Sequence, residues 1–190
     1  MEKMNLPNKL TILRMVMIPL FIGALFWPNN SGFNYLVADL LFSAAALTDL
    51  LDGQIARKRG LVTNFGKLMD PLADKLLVVS ALVCFVQLGL APAVAVIIIL
   101  AREFLITSVR MVALESGKVI AANIWGKMKT VFQMTAIVSS LLLMFVACFT
   151  GWVPRETAVT IVHILNWLSA FVTLVSGVTY IWSNRTLFTR

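Results

Sequence analysis

Six long apolar blocks dominate this chain of 190 residues and restrict the folds that it can adopt. They cover about 10–27, 35–56, 72–89, 92–114, 128–149 and 157–182. A helix of roughly 20 apolar residues crosses a bilayer, and a backbone in lipid has to satisfy its hydrogen bonds within the protein. The sequence therefore predicts an all-α, polytopic membrane protein, a bundle of six transmembrane helices.

The composition agrees with lipid as the solvent of this surface. Hydrophobic residues make up 59% of the chain and charged residues 13%, whereas a typical soluble domain is about half apolar and about a quarter charged. The polar segments between the blocks are too short for a second domain, so we expect residues 1–190 to form a single integral membrane domain. Cys84 and Cys148 both lie inside apolar blocks, which is typical of small buried side chains.

The basic residues predict the orientation of the chain in the membrane. Six spans place both termini and the loops after the second and fourth spans on one side. Fourteen of the sixteen Lys and Arg residues fall there, which leaves Arg155 opposite and Arg102 within the fourth span. By the positive-inside rule this side is cytoplasmic. Because the net charge of +7 flanks the apolar blocks, we expect anionic membrane lipids, and not nucleic acid, as partners.

Four aspartates near the cytoplasmic ends of the second and third spans are the strongest candidates for a functional site. Asp49 and Asp52 are three residues apart, and Asp70 and Asp74 are four apart, so each pair shares a helix face. Carboxylates are costly within a membrane and mark functional sites there. Four of them together would repel one another unless cations were bound, and Mg²⁺ and Mn²⁺ favour carboxylate oxygens. The pattern therefore predicts a divalent-metal site.

Small residues and an arginine accompany the aspartates. Gly53, Ala56 and Gly66 leave room for a ligand near the backbone, and Arg57 is suited to pair with a phosphate. Each residue also has a purely structural interpretation: Gly53 as a helix-packing residue, Gly66 as a turn residue, Arg57 as a topology signal. Asp70 before Pro71 is typical of a helix N-cap. Capping and packing do not explain all four acids.

The full pattern is similar to a known signature. Asp49-x2-Asp52-Gly53-x2-Ala56-Arg57-x8-Gly66-x3-Asp70-x3-Asp74 resembles, at each of its eight fixed positions, the motif of the CDP-alcohol phosphatidyltransferase family. The resemblance implies that the four aspartates bind two Mg²⁺ or Mn²⁺ ions and that Asp74 is also the general base. It implies that the glycines and the alanine line the cytidine site of a CDP-lipid, that Arg57 contacts the diphosphate, and that the chain forms a homodimer.

Further strings resemble the bacterial branch of this family that transfers a phosphatidyl group from CDP-diacylglycerol to sn-glycerol 3-phosphate. They are LPNKLTILR at 6–14, NFGKLMDPLADKLL at 64–77, AREFLITSVR at 101–110 and GKMKT at 126–130. The resemblance implies phospholipid synthesis in a bacterial cytoplasmic membrane. A phosphate-bearing acceptor needs cations, so we expect acceptor contacts at Thr107, Arg110, Lys127 and Lys129. Asn8 is a candidate contact of the donor.

Some interpretations stay open at this point. Thr11 and Arg14 continue the polar face of Asn8, and either ligand contact or capping and snorkelling explains them. One alternative keeps the same chemistry but replaces the acceptor with inositol phosphate, serine or phosphatidylglycerol. A divalent cation transporter is a different class, since intramembrane acids also mark ion pathways.

Four further polar residues in the apolar blocks lie outside the motif: Arg102, Glu103, His163 and Asp39. We expect Arg102 and Glu103 to make a polar contact inside the bundle, and His163 to be a buried residue with a hydrogen-bond partner rather than a metal ligand or a base. The sequence suggests no role for Asp39.

Overall fold

The computed structural model describes residues 6–28, 31–59, 64–115, 124–183 and 185; the side chains at 6–10, 49–59, 64–71, 74, 114 and 115 lie outside that description. The described part is helical and contains no strand. The six helices are α1 (Leu6–Leu25), α2 (Phe33–Arg59), α3 (Asn64–Gln87), α4 (Ala93–Glu115), α5 (Ile124–Thr150) and α6 (Arg155–Ser183). The all-α prediction is confirmed, and each predicted span coincides with one helix.

The largest difference from the predicted boundaries concerns α3. This helix begins at Asn64, eight residues before the predicted start of the third span. Asp70 is therefore the seventh residue of α3, and its interpretation as an N-cap is wrong. Gly66 lies in the first turn of the helix and not in a turn between helices. Apolar composition predicts only the lipid-embedded part of a helix, whereas backbone hydrogen bonding continues through the polar motif.

Two of the helices, α5 and α6, are long and apolar enough to cross a membrane by length and composition. The described parts of α1, α2 and α3 contribute shorter apolar segments, Thr11–Leu25, Phe33–Thr48 and Lys75–Gln87. The outward surface of α6 exposes Trp167, Phe171 and Val178. Such side chains are typical of a helix that contacts lipid. The count of six spans stays a prediction.

The helices group into two compact units. The first comprises Met1–Cys84 and Val138–Ala158, and the second comprises Phe85–Ile137 and Val159–Arg190. In the first unit α1 packs against α2, with the ring centroids of Phe21 and Phe42 5.9 Å apart. A second aromatic cluster joins the start of α2 to α5: the Phe33 centroid lies 5.7 Å from that of Phe145 and 5.3 Å from that of Phe149. The prediction of a single domain stays a prediction.

In the second unit, the turn between α3 and α4 is held by side chains of α6. Gly89 has φ +69°, a conformation that favours glycine, and lets the chain reverse after α3. His163 Nε2 lies 2.8 Å from the carbonyl oxygen of Gly89. Asn166 donates from Nδ2 to the carbonyl oxygen of Leu90 at 3.4 Å. These contacts satisfy two carbonyl groups that the helix ends leave without a backbone partner. The prediction that His163 has a hydrogen-bond partner is confirmed, but the prediction that it is buried is wrong, because it lies half-buried at this turn.

Candidate functional site

The two aspartate pairs lie on consecutive helices of the first unit. Asp49 and Asp52 belong to α2, and Asp70 and Asp74 belong to α3. Since both segments are α-helical, residues three or four apart lie on one helix face, and the described backbone thus confirms the helical spacing that the motif requires. The four side chains lie outside the described residues, so their roles stay predictions.

The chemistry of this donor set fits a hard divalent cation. Mg²⁺ and Mn²⁺ prefer oxygen ligands and are commonly held by a few carboxylates together with substrate phosphates. Four aspartates supply only oxygen donors, with no thiol or imidazole among them. Among the side chains that the structure describes, no group of three or more His, Cys, Asp or Glu residues is arranged to hold a metal ion.

The residues predicted to bind the CDP-lipid follow the same helices. At about 100° per residue, Gly53 and Ala56 fall within the arc of α2 that carries Asp49 and Asp52. Arg57 is the next residue after Ala56, Gly66 lies one turn before Asp70 on α3, and Asn8 lies near the start of α1. The side chains of Arg57 and Asn8 are outside the described residues.

Thr11 and Arg14, which continue the polar face of α1, are buried in the first unit. Both side chains are about 1% exposed. A snorkelling arginine extends its guanidinium into water, and that interpretation of Arg14 is therefore wrong. A fully buried arginine is rare unless it is paired, and Arg14 does interact with other groups of the protein.

The four residues predicted to contact the acceptor belong to the second unit, and the structure gives them different environments. Arg110 on α4 and Lys127 on α5 are exposed. Thr107 is half-buried, and Lys129 is only 5% exposed. The predicted set therefore consists of two surface cations, one buried cation and one hydroxyl group.

Lys129 is held by a partly buried ion-pair cluster that joins three helices. Its ammonium group pairs with Oε1 of Glu103 on α4. The same oxygen accepts a hydrogen bond of 3.1 Å from Nη1 of Arg102, and Nη2 of Arg102 donates to Oγ of Ser176 on α6 at 2.8 Å. The predicted polar contact of Arg102 and Glu103 is confirmed, and Lys129 and Ser176 are the partners that the sequence did not identify.

Gly177 provides the space that the Arg102 side chain occupies. A Cβ atom at position 177 would lie 3.0 Å from Cγ of Arg102, which is closer than ordinary van der Waals contact. The absence of a side chain at this position lets the stem of Arg102 pass close to α6. The sequence shows Ser176 and Gly177 as two small residues in an apolar span, but it carries no signal that pairs them with Arg102.

A polar stripe on α6 was also missed. Ser169, Thr173 and Ser176 are buried and recur at the spacing of one helix face. Among the described residues, Oγ of Ser169, Oγ1 of Thr173 and Nε2 of Gln133 on α5 have no hydrogen-bond partner. Polar residues at positions i, i+4 and i+7 of an apolar span would have predicted this buried polar interior.

The hydroxyl group of Thr107 is oriented by its own helix. It donates to the backbone carbonyl oxygen of Glu103 at 2.7 Å. A hydroxyl has one proton and two acceptor lone pairs. In this geometry Thr107 can accept a hydrogen bond from a ligand but does not present its proton, so it suits a ligand hydroxyl better than a phosphate oxygen.

Asp39 on α2 is a buried carboxylate away from the motif. It is 5% exposed, and its Oδ1 atom has no hydrogen-bond partner among the described residues. It lies ten residues before Asp49, nearly three turns along the same helix. We have no physical account of this residue.

Comparison with known proteins identifies the family. Residues 4–175 match the CDP-alcohol phosphatidyltransferase family. A CDP-diacylglycerol–glycerol-3-phosphate 3-phosphatidyltransferase of Bacillus subtilis (strain 168) is 43% identical over 191 residues, covering 95% of this chain and 95% of the relative. A protein of the same name from Rickettsia typhi is 39% identical and covers 97% of this chain and 99% of its own length. A probable phosphatidylglycerophosphate synthase of Mycobacterium tuberculosis is 38% identical and covers 93% and 80%. With the complete aspartate motif on α2 and α3, this chain belongs to the CDP-alcohol phosphatidyltransferase family.

Proposed function

We propose that this protein transfers the phosphatidyl group of CDP-diacylglycerol to sn-glycerol 3-phosphate, giving phosphatidylglycerophosphate and CMP. The observation that carries the proposal is the similarity, over nearly the whole chain, to proteins named for this reaction. The uninterrupted motif on two consecutive helices supports the same chemistry. The partly buried ion-pair cluster and the exposed cations of the second unit are consistent with an acceptor that carries its own phosphate.

The enzyme acts, in this proposal, as a six-span protein of a bacterial cytoplasmic membrane with its termini and its active site on the cytoplasmic side. The apolar length of α5 and α6 supports insertion in a membrane. The distribution of Lys and Arg supports the orientation. A polar acceptor made in the cytoplasm then reaches the enzyme without crossing the bilayer, while the acyl chains of the donor stay in lipid.

On the donor side, Asp49, Asp52, Asp70 and Asp74 would hold two Mg²⁺ or Mn²⁺ ions. When bound, these ions supply positive charge that stabilises the oxygens of the diphosphate during phosphoryl transfer. Arg57 pairs with the diphosphate through its guanidinium. Gly53, Ala56 and Gly66 leave the space that the cytidine occupies, and Asn8 contributes a polar contact to the donor.

The chemical step uses Asp74 as the general base. Its carboxylate takes the proton of the acceptor hydroxyl, and the resulting oxygen nucleophile attacks the β-phosphorus of the donor. A new phosphorus–oxygen bond forms to glycerol phosphate while the bond to the CMP oxygen breaks. No covalent enzyme intermediate is required, because the base and the positive charge at the diphosphate activate both reactants.

On the acceptor side, the cations Arg110, Lys127 and Lys129 bind the phosphate of sn-glycerol 3-phosphate. Thr107 accepts a hydrogen bond from a glycerol hydroxyl, because its own proton is donated to the Glu103 carbonyl oxygen. We also propose that the protein is a homodimer, as the family resemblance implies; crosslinking in the membrane would test this.

The experiment that tests the function is CMP release by the purified protein in detergent. CDP-diacylglycerol is supplied with Mg²⁺ or Mn²⁺, and sn-glycerol 3-phosphate, inositol phosphate, serine and phosphatidylglycerol are added separately. We expect release that requires both the metal and sn-glycerol 3-phosphate. CMP release with a different acceptor would agree with the proposed aspartate chemistry but contradict sn-glycerol 3-phosphate as the acceptor. Folded protein that releases no CMP, yet carries divalent cations into liposomes, would favour a transporter.

A further inference from the structure

One face of α4 carries Glu103, Thr107 and Arg110. These residues stand at positions i, i+4 and i+7, so at about 100° per residue they lie within an arc of about 60°. Glu103 and Thr107 are both half-buried, and the Glu103 carboxylate contacts Arg102 and Lys129, whereas Arg110 is exposed. We call this arc the Glu103 face.

Lys129 reaches the Glu103 face from α5. Its side chain is 5% exposed and its ammonium group pairs with the Glu103 carboxylate. Lys127 is only two residues away, which places it about 200° around the helix axis. It is exposed to the surroundings of the protein. Of the two lysines predicted to contact the acceptor, Lys129 is therefore the one whose ammonium group contacts a residue of the Glu103 face.

The carboxylate of Glu103 is itself held in place. Arg102 donates to it at 3.1 Å from Nη1, and the other terminal nitrogen of Arg102 is anchored on Ser176 at 2.8 Å. Arg102, Glu103 and Lys129 together carry a net charge of +1, so the cluster remains attractive to an anion. Removing one partner of this partly buried pair leaves the charge of the other uncompensated and allows that side chain to move.

We propose that Glu103 is a positioning residue that holds the ammonium group of Lys129 on the Glu103 face, where Lys129 and Arg110 bind the phosphate of the acceptor. This inference rests on the proposed function and assigns unequal roles within its acceptor site. Glu103 does not touch the substrate. It acts through Lys129, whose mobile four-carbon side chain would otherwise adopt several rotamers.

The first test replaces the charge of Glu103 and keeps its shape. In Glu103→Gln we expect the KM for sn-glycerol 3-phosphate to rise about tenfold, because a charge-assisted hydrogen bond to Lys129 is lost. The KM for CDP-diacylglycerol should stay within about twofold, since the donor does not depend on this pair. Glu156→Gln, the same change at an exposed carboxylate of α6, is the matched control and should alter neither KM.

The second test asks whether Glu103 acts through Lys129. If it does, Lys129→Gln and the double variant Glu103→Gln/Lys129→Gln have the same acceptor KM within about twofold, because neighbouring residues of one network are not additive. Effects that multiply would overturn the proposal. Thermal unfolding of each variant in detergent shows whether its structure is retained. A general loss of structure would lower kcat and weaken the binding of both the donor and the acceptor.

The third test distinguishes positioning of the Lys129 ammonium group from an ion pair that only stabilises the packing of α5 against α4. The exchange variant Glu103→Lys/Lys129→Glu retains an ion pair but moves the ammonium group to α4. We expect its acceptor KM to stay raised; recovery of the original value would overturn the proposal. Wild-type protein that does not use sn-glycerol 3-phosphate would refute the proposed function itself. An active wild type with an unchanged acceptor KM in Glu103→Gln would refute only this inference.

Discussion

Gly32 lies directly against Cys148: a Cβ atom at position 32 would come within 2.5 Å of the Cys148 Cβ. Gly32 also has φ +78°, in the left-handed region, immediately before α2. Its carbonyl oxygen accepts a hydrogen bond of 3.0 Å from the backbone nitrogen of Tyr35 in the first turn of that helix. The start of α2 thus meets α5 through a residue without a side chain.

We therefore predict that Gly32→Ala destabilises the protein. The left-handed conformation alone costs a non-glycine residue about 1–2 kcal/mol, and the contact with Cys148 adds to that cost. Thermal unfolding in detergent should show a clear fall in the midpoint. Gly23→Ala is the control, because a Cβ there meets nothing within 4 Å; equal midpoints for both variants would contradict the prediction.

A second prediction concerns the general base. Asp74→Asn should lower kcat by at least about a hundredfold, since positioned general bases typically contribute that much or more. Binding of CDP-diacylglycerol, measured by titration in detergent, should be largely retained. Asp39→Asn makes the same change at a buried aspartate outside the motif and should leave turnover near that of the wild type. Near-normal turnover in Asp74→Asn would remove Asp74 from the role of base.

A third prediction follows from the hydrogen bond between Thr107 and the Glu103 carbonyl oxygen. Thr107→Val should raise the acceptor KM about fivefold, because one hydrogen bond to a ligand hydroxyl is lost. With propane-1,3-diol monophosphate, which lacks the middle hydroxyl of glycerol, the variant and the wild type should have similar KM values. Ser108→Ala removes the equivalent bond at the exposed neighbouring position and serves as the control. If Thr107→Val raised the KM equally for both acceptors, the Thr107 hydroxyl would have a structural role and would not bind the ligand.

A fourth prediction ranks the two lysines of α5. Lys129→Gln should raise the acceptor KM by at least about tenfold, since a buried charge is weakly screened. Lys127→Gln should have a smaller effect that decreases further at high salt, because exposed charges are screened. The acceptor KM of each variant, measured at two ionic strengths, gives the size of the effect and its dependence on salt. The reverse order would indicate that the exposed lysine is the main phosphate contact.

The helices and the motif could be predicted from the sequence because both are local patterns. Long apolar blocks correspond to α1 through α6, and helical spacing alone pairs Asp49 with Asp52 on α2. The first residue of α3 was not predicted, because Gly66, Lys67, Asp70 and Pro71 interrupt the apolar run over 64–71. The expectation that Arg102 and Glu103 meet polar partners was confirmed, since unpaired charges in an apolar span are costly.

The partners themselves depend on contacts between distant parts of the sequence. Lys129 follows Glu103 by 26 residues, and Ser176 follows Arg102 by 74. No periodicity encodes such a distance, and only the packing of α4, α5 and α6 brings the groups together. For the same reason the sequence did not distinguish Lys129 from Lys127, although two positions on a helix differ by about 200°.

The turn between α3 and α4 has a consequence for the order in which the protein is built. The side chains that hold its carbonyl groups, His163 and Asn166, follow Gly89 and Leu90 by 74 and 76 residues. A ribosome therefore releases the turn long before α6 exists, and until then the turn keeps only its local backbone hydrogen bonds. Completion of α6 thus adds contacts to a part of the protein synthesised much earlier, and a chain stalled before 163 would retain a hairpin without them.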